Sequence, residues 1–262
     1  MAKGYARRVN AVEWLPRVDS TNVELVRRER AARQPHLTAL ATLDQTGGRG
    51  RLGRSWTAAP GAALAVSVLV RPERIPPDRL GLLTLLAGLA AHGAVAAELP
   101  ERRVAIKWPN DVLVAGRKIV GVLAEVEPST GAVVVGVGIN TAMTAAQLPV
   151  PTATSIAIES GEPAAPEELA DRVLSAFLAR FTSLLERFEA ARGDLDRAGI
   201  RGELEAACGT LGERVRVELP GGQLCSGTAV GIAPDGALLL RADGSAEPTA
   251  ILAGDVTHLR YQ

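Results

Sequence analysis

Cysteine is nearly absent from this chain of 262 residues, which holds only Cys208 and Cys225. The two form no CxxC pair and have no histidine cluster beside them, so they are read as reduced thiols of a cytosolic protein. Histidine is scarce too: His36, His92 and His258 are scattered, and a metal site built on imidazoles is not expected. Net charge is missing altogether, with Lys+Arg and Asp+Glu both at 29, which argues against a nucleic-acid binder. Met1 to Asn10 is polar and basic with no apolar core, so no secretory signal is read there. One run, Leu80 to Leu99, is apolar and long enough for a membrane span. It is rich in Ala and Gly, carries Thr84 and His92, and comes after the helix-start signal Pro76-Pro77-Asp78, so it is read as a core helix.

The chemistry of the chain is concentrated between Asp44 and Trp56, where glycines alternate with Arg49, Arg51 and Arg54. Such a segment buries too little apolar surface to order itself and is expected to be mobile until a ligand fixes it. Glycines let backbone N–H groups approach a ligand closely, and guanidinium forks suit carboxylate and phosphate oxygens. The expected ligand is therefore an anion carrying phosphate. Gly48-x-Gly50-x-x-Gly53 fits the dinucleotide fingerprint, and Gly48 to Ser55 comes within one residue of a Walker A loop, with Arg54 where lysine is required. Both motifs require a helix directly after the glycines. The chain instead continues through Pro60-Gly61 into the strand-like run Ala62–Val70, so both are rejected. An RNA-gripping Arg-Gly tract would need interleaved aromatics, which are missing.

Taken in order, Val12–Val18 reads as a strand, and Thr21 with Glu24 as a capping box that opens a helix over Asn22–Arg33. Strands are expected over Thr38–Leu43 and Ala62–Val70, with a helix over Asp78–Leu99. Arg103–Val114 reads as two short strands broken at Pro109, Ala115–Lys118 as a hairpin turn, and Ile119–Val126 and Ala132–Ile139 as further antiparallel strands. Met143–Pro166 is read as irregular, Glu167–Ala190 and Asp194–Cys208 as helices. From Gly212 short β-runs separated by Gly and Asp-Gly turns suggest a small barrel. The expected fold is α+β, a mixed, mostly antiparallel sheet with helices over residues 1–211, then a barrel over 212–262. Lys107, Asn110, Asp111, Lys118 and Asn140 fall at strand ends, and with the Gly/Arg loop they form a convergent set of cations and amides.

The ordered set Asp19-Ser20-Thr21-Asn22, Gly48–Arg54 with Trp56, Lys107-Trp108-Pro109-Asn110-Asp111, Arg117–Leu123 and Gly136–Asn140 resembles the biotin protein ligases over nearly the whole chain. The resemblance implies a catalytic domain related to class II aminoacyl-tRNA synthetases and lipoate ligases, with an SH3-like C-terminal domain. It implies a two-step reaction: biotin and ATP give biotinyl-5′-AMP, and biotin then passes to a lysine of a biotin carboxyl carrier protein or domain of an acyl-CoA carboxylase. Some members carry an N-terminal winged helix-turn-helix that binds DNA. Here the Asp-Ser-Thr-Asn motif begins at position 19, and a monofunctional ligase is expected.

By the same resemblance Lys118 and Arg51 are the catalytic residues. Ser20, Thr21, Asn22, Gln45, Gly48, Arg49, Gly50, Arg51, Lys118 and Gly121 would hold biotin. Arg51, Arg54, Trp56, Lys107, Asn110, Asp111 and Asn140 would hold ATP and the adenylate. Mg²⁺ is expected to be bound mainly by ATP phosphates, with no metal site of the protein's own. A cytoplasmic monomer or weak ligand-dependent homodimer is expected, without DNA or membrane as partner. The alternatives are a lipoate or octanoyl ligase or transferase on the same fold, and a non-catalytic biotinyl-AMP-binding regulator.

Overall fold

The computed structural model describes residues 12–162 and 165–259. In chain order the elements are β1 (Val12–Trp14), α1 (Thr21–Ala31), β2 (Ala39–Thr42), β3 (Gly48–Arg49), β4 (Ser55–Trp56) and β5 (Leu64–Val70). Then come α2 (Leu82–Glu98), β6 (Val104–Lys107), β7 (Asp111–Val114), β8 (Arg117–Val126), β9 (Val133–Ile139), α3 (Ile156–Ser160), α4 (Pro166–Ala190) and α5 (Arg201–Ala207). The C-terminal part holds β10 (Arg214–Glu218), β11 (Leu224–Ile232), β12 (Leu238–Arg241), β13 (Thr249–Ile251) and β14 (Asp255–His258).

The main sheet has seven strands in the order β1-β2-β5-β9-β8-β7-β6. Only β1 and β2 run parallel; the other neighbours are antiparallel, with short hairpin connections joining β6 to β7, β7 to β8 and β8 to β9 and longer excursions separating β2 from β5 and β5 from β9. Strand periodicity sends alternate side chains to opposite faces. On one face Val66, Val68 and Val70 of β5 and Val133, Val135 and Val137 of β9 join a core with α2 and α4. On the other, Leu69 and Val134 pack with Leu25 of α1. Gly136 and Gly138 share the face of Val134, so beyond α1 this face carries no side chains on β9. That bare stretch is the floor of a cleft.

The apolar helix α2 is long and apolar enough to cross a membrane, yet it is packed inside the core. Leu83, Leu86, Ala87, Ala90, Ala91 and Val95 have no exposed surface. Each fully buried Leu or Val is worth about 1.5–3 kcal/mol over an exposed one, so burial and not lipid accounts for this composition. Phe177 and Phe181 of α4 stack at a centroid distance of 5.6 Å within the same core.

Several expectations are corrected. β1 ends at Trp14, and Val18 only bridges Gln45. Ser20, not Thr21, caps α1, accepting from Val23 N at 3.5 Å, and Glu24 is engaged by Arg27 and Arg28 instead of closing a capping box. The turn after β7 is only Ala115-Gly116, both at positive φ (48° and 80°), so Arg117 and Lys118 already belong to β8. The segment read as irregular contains α3, capped by Ser155. The second helix shrinks to Arg201–Ala207, because Gly199 at φ 66° interrupts the backbone before it. The Gly/Arg segment is a short hairpin, β3 against β4. The C-terminal strands form an open antiparallel sheet, β13-β12-β11-β10-β14, in which β13 and β14 are edges; no closed barrel forms among the described residues.

The two sheets share a core, since Val215, Val217, Ala229, Ile232 and Leu238 belong to the same buried cluster as α2 and α4. Trp108, 2% exposed, donates its indole N–H to Gly236 O at 3.0 Å and fixes the turn between β6 and β7 against the C-terminal sheet. The Trp108–Pro109 peptide is cis.

Candidate active site

A cleft opens over the glycine floor, with the N-terminus of α1 at one end, the β3–β4 hairpin as roof, and β8 with the β6–β7 turn as wall. It gathers Ser20, Thr21, Asn22, Gln45, Arg49, Gly50, Arg51, Arg54, Trp56, Asn110, Asp111, Lys118 and Gly121 of the expected residues. Gly48, Lys107 and Asn140 are not among its lining. Gly48 instead makes room: a β-carbon there would lie 2.5 Å from Gln45 Nε2. Lys107 pairs in the β6–β7 ladder opposite Asp111. Asn140 is buried and donates its amide to Thr154 O at 2.9 Å.

At the α1 end the polar groups are buried and already paired. Thr21 N and Oγ1 both donate to Gln45 Oε1, at 3.0 and 3.3 Å. Ser67 Oγ, from the fully buried β5, lies 2.7 Å from Thr21 Oγ1 and 2.6 Å from Asn22 Oδ1. Asn22 Nδ2 donates to Glu125 Oε2 at 2.8 Å and Leu123 O at 3.2 Å. Gly136 allows this, because any β-carbon on it would collide with the Asn22 amide. The result is a largely buried, directional set of donors and acceptors, of the kind that selects a neutral polar ring by its hydrogen-bond pattern.

The cations of the cleft are each matched to a partner. Arg49 Nη2 reaches both carboxylate oxygens of Glu125 at 3.0 and 3.1 Å. Arg51 donates to Asn110 Oδ1 at 2.8 Å and to Gly254 O at 3.3 Å. Arg54 pairs with Asp255 of β14. Lys118 Nζ lies 2.6 Å from Asp111 Oδ1 and 5.8 Å from the centroid of a Trp56 ring. Its side chain is 37% exposed, open enough for an anion to reach it.

Trp56 lies directly on the floor. A β-carbon at Gly138 would come within 2.5 Å of its indole, and one at Gly121 within 3.0 Å. Gly121 and Gly138 face one another across β8 and β9, so the two glycines form one flat seat for an aromatic group. Five contributors were given no site role from the sequence: Ser67, Glu125, Gly136, Gly138 and Asp255. Gly136 and Gly138 had a signal, since they alternate with valines in a strand otherwise buried on both sides. Asp255 had none, because its approach to Arg54 is made by tertiary packing between residues 201 positions apart.

The chain matches the biotin/lipoate A/B protein ligase family over residues 14–140 and the biotin protein ligase C terminal domain over residues 210–259. It is 38% identical to the biotin–[acetyl-CoA-carboxylase] ligase of Mycobacterium tuberculosis, covering 92% of this chain and 86% of that protein. The ligase of the same name from Paracoccus denitrificans is 35% identical, with 92% and 98% covered. Among solved structures, the biotin protein ligase of Aquifex aeolicus in complex with biotin and ATP superposes with a TM-score of 0.77 at 29% identity, covering 95% of this chain and 99% of that one. With two family matches in order along the chain, and relatives that align with it over nearly their whole length, this chain belongs to the biotin protein ligases.

Proposed function

We infer that this cleft is where the chain, as a biotin–[acetyl-CoA-carboxylase] ligase, joins biotin to ATP and hands it to a protein lysine. The single observation that carries the residue assignment is the convergence of Lys118, Arg49, Arg51 and Arg54 on one cleft with a buried polar end. The ureido ring of biotin is neutral and flat, and it suits the end built from Ser20, Thr21, Asn22 and Gln45. The valeryl carboxylate then points toward Lys118, which gives up Asp111 for it.

In the first step a biotin carboxylate oxygen attacks the α-phosphorus of ATP, the bond to the β-phosphate oxygen breaks, and pyrophosphate leaves. Two anions must meet, so fixed cations and positioning supply the catalysis. Lys118 and Arg51 balance the charge on the α-phosphate, Arg49 closes over the biotin tail, and Arg54 meets the triphosphate. Trp56 covers the adenylate, and Asn110 and Asp111 line the nucleotide side. Mg²⁺ is assigned to the nucleotide phosphates, where it would neutralise charge; among the described residues no cluster of three His, Cys, Asp or Glu gathers. In the second step a neutral carrier lysine attacks the acyl carbon, the bond to the AMP oxygen breaks, and the new amide nitrogen loses its proton. The carrier is a biotin carboxyl carrier protein or domain, and the reaction is assigned to the cytoplasm.

The catalytic unit is taken as residues 1–211 and the C-terminal unit as 212–262, a division supported by the start of the second family match at residue 210. The test is exchange of labelled pyrophosphate into ATP. Exchange that requires biotin and is not supported by lipoate is the expected result; exchange driven by lipoate alone would overturn the substrate assignment.

A further inference from the structure

We propose that Glu159 is a positioning residue for Lys118, acting through Arg117 and Thr154; this rests on the catalytic role assigned to Lys118. The position of Lys118 on β8 is unusual. β8 pairs with β9 only up to Val120 opposite Ile139, and the ladder to β7 shifts register at the same place, between Lys118 and Val120. Such a bulge re-aims a side chain but leaves its backbone with fewer regular partners. The missing strand is supplied by residues 152–154. Lys118 N donates to Thr152 O at 2.8 Å, and Thr154 N donates back to Lys118 O at 2.8 Å.

That substitute strand is short and needs an anchor. Its anchor is the carboxylate of Glu159 on α3, whose side chain is 2% exposed. Glu159 Oε1 accepts from Thr154 Oγ1 at 2.7 Å and from Arg117 Nη2 at 2.6 Å, so one oxygen holds both the residue before Lys118 and the residue whose N–H donates to Lys118 O. Arg102 approaches the other oxygen at 3.8 Å and donates to Glu159 O at 3.1 Å. Asn140, by donating to Thr154 O, locks the same strand from the β9 side. A charged group this deeply buried is costly unless its partners need it, and here they bracket the lysine assigned to the chemistry. Displacements of about 1 Å at a reacting group cost up to about 100-fold in rate.

The test uses the full-length enzyme and the pyrophosphate exchange assay, with biotin affinity measured separately by calorimetry. Thr154→Val, Glu159→Gln and the half-exposed Arg117→Met are each expected to lower kcat by about 10- to 100-fold with a smaller loss of biotin affinity, since the carboxylate is only one of biotin's contacts. Thr154→Ser, which keeps the hydroxyl, is expected to retain activity. Arg117→Met guards against loss through misfolding, since its side chain, at the start of β8, is 43% exposed. Wild-type kcat in Arg117→Met and Thr154→Val, with Lys118→Ala inactive, would overturn the positioning role alone. Near-normal exchange by Lys118→Ala would instead overturn the reading beneath it.

Discussion

Lys118 Nζ sits 2.6 Å from Asp111 Oδ1, and Asn110 Nδ2 approaches the same oxygen at 3.3 Å. The carboxylate that neutralises the lysine thus comes from the first residue of β7, just after the Trp108-Pro109-Asn110 turn. On the proposed assignment, an incoming biotin carboxylate displaces it from a lysine that already lines the cleft. Lys118→Ala is expected to abolish biotinyl-adenylate formation while far-ultraviolet circular dichroism remains that of the parent. Pyrophosphate exchange within about tenfold of the parent would remove Lys118 from the chemistry.

Gly138→Ala should act through Trp56. The added methyl would fall within 2.5 Å of the indole, too close to be relieved without lifting the ring from its seat. Overpacking of this kind costs about 1–3 kcal/mol of stability. The expected outcome is a lower melting temperature and a shifted tryptophan emission, with loss of exchange activity. An unchanged emission spectrum would mean that Trp56 does not rest there.

The β3–β4 hairpin is tied at three points, by Arg49 to Glu125, Arg51 to Asn110 and Gly254, and Arg54 to Asp255. All these ties are polar and partly exposed, so each contributes little alone. Limited trypsin digestion should cut at Arg49–Arg54 in the free enzyme and be slowed by biotin with ATP. Asp255→Ala should speed cleavage of the free form. Identical digestion rates with and without ligands would count against an ordering role for them.

Acid should weaken the fold in two stages. Burial pulls the pKa of His92 below its usual 6.5 and keeps the ring neutral, with Nε2 placed 3.2 Å from Val104 O. Folding therefore favours the unprotonated ring: the stability is full above about 6.5 and is lost as pH falls toward the folded value. Glu127 is held down at about 2, chiefly by Arg30 and then by Ser129. Its contribution is present above the unfolded value of 4.5 and lost between there and about 2. Melting temperature should fall as pH drops below about 6.5 and again below about 4.5, and His92→Gln should reduce the first step, which the half-buried His36 shares, while sparing the second.

Much of the fold was legible because its signals are local. The β5 and β9 runs, the α2 run and the apolar stripe of α4 each state their own period, and the structure keeps them within a few residues. The misreadings have local causes too. Ser20 and Thr21 are adjacent hydroxyls, and only the backbone geometry of Ser20 shows which one caps α1. α3 is one short helix inside a Pro- and Ala-rich stretch, where periodicity has too few residues to register. In the cleft, the Gly/Arg hairpin, Lys118 and the α1 end could be named from residue chemistry and family resemblance. Glu125, Ser67 and Asp255 could not, since each matters only for what tertiary folding sets beside it. Asn140 shows the converse, an amide of suitable chemistry committed to a neighbouring backbone carbonyl.

The pairing of Arg54 with Asp255 has a thermodynamic corollary. A phosphate that claims the guanidinium must evict a carboxylate belonging to the last strand of the chain. On the proposed assignment of Arg54 to the nucleotide, occupancy of the cleft would be communicated to the C-terminal sheet, and by reciprocity a protein that docks on β14 and draws Asp255 away would alter how firmly the nucleotide is gripped.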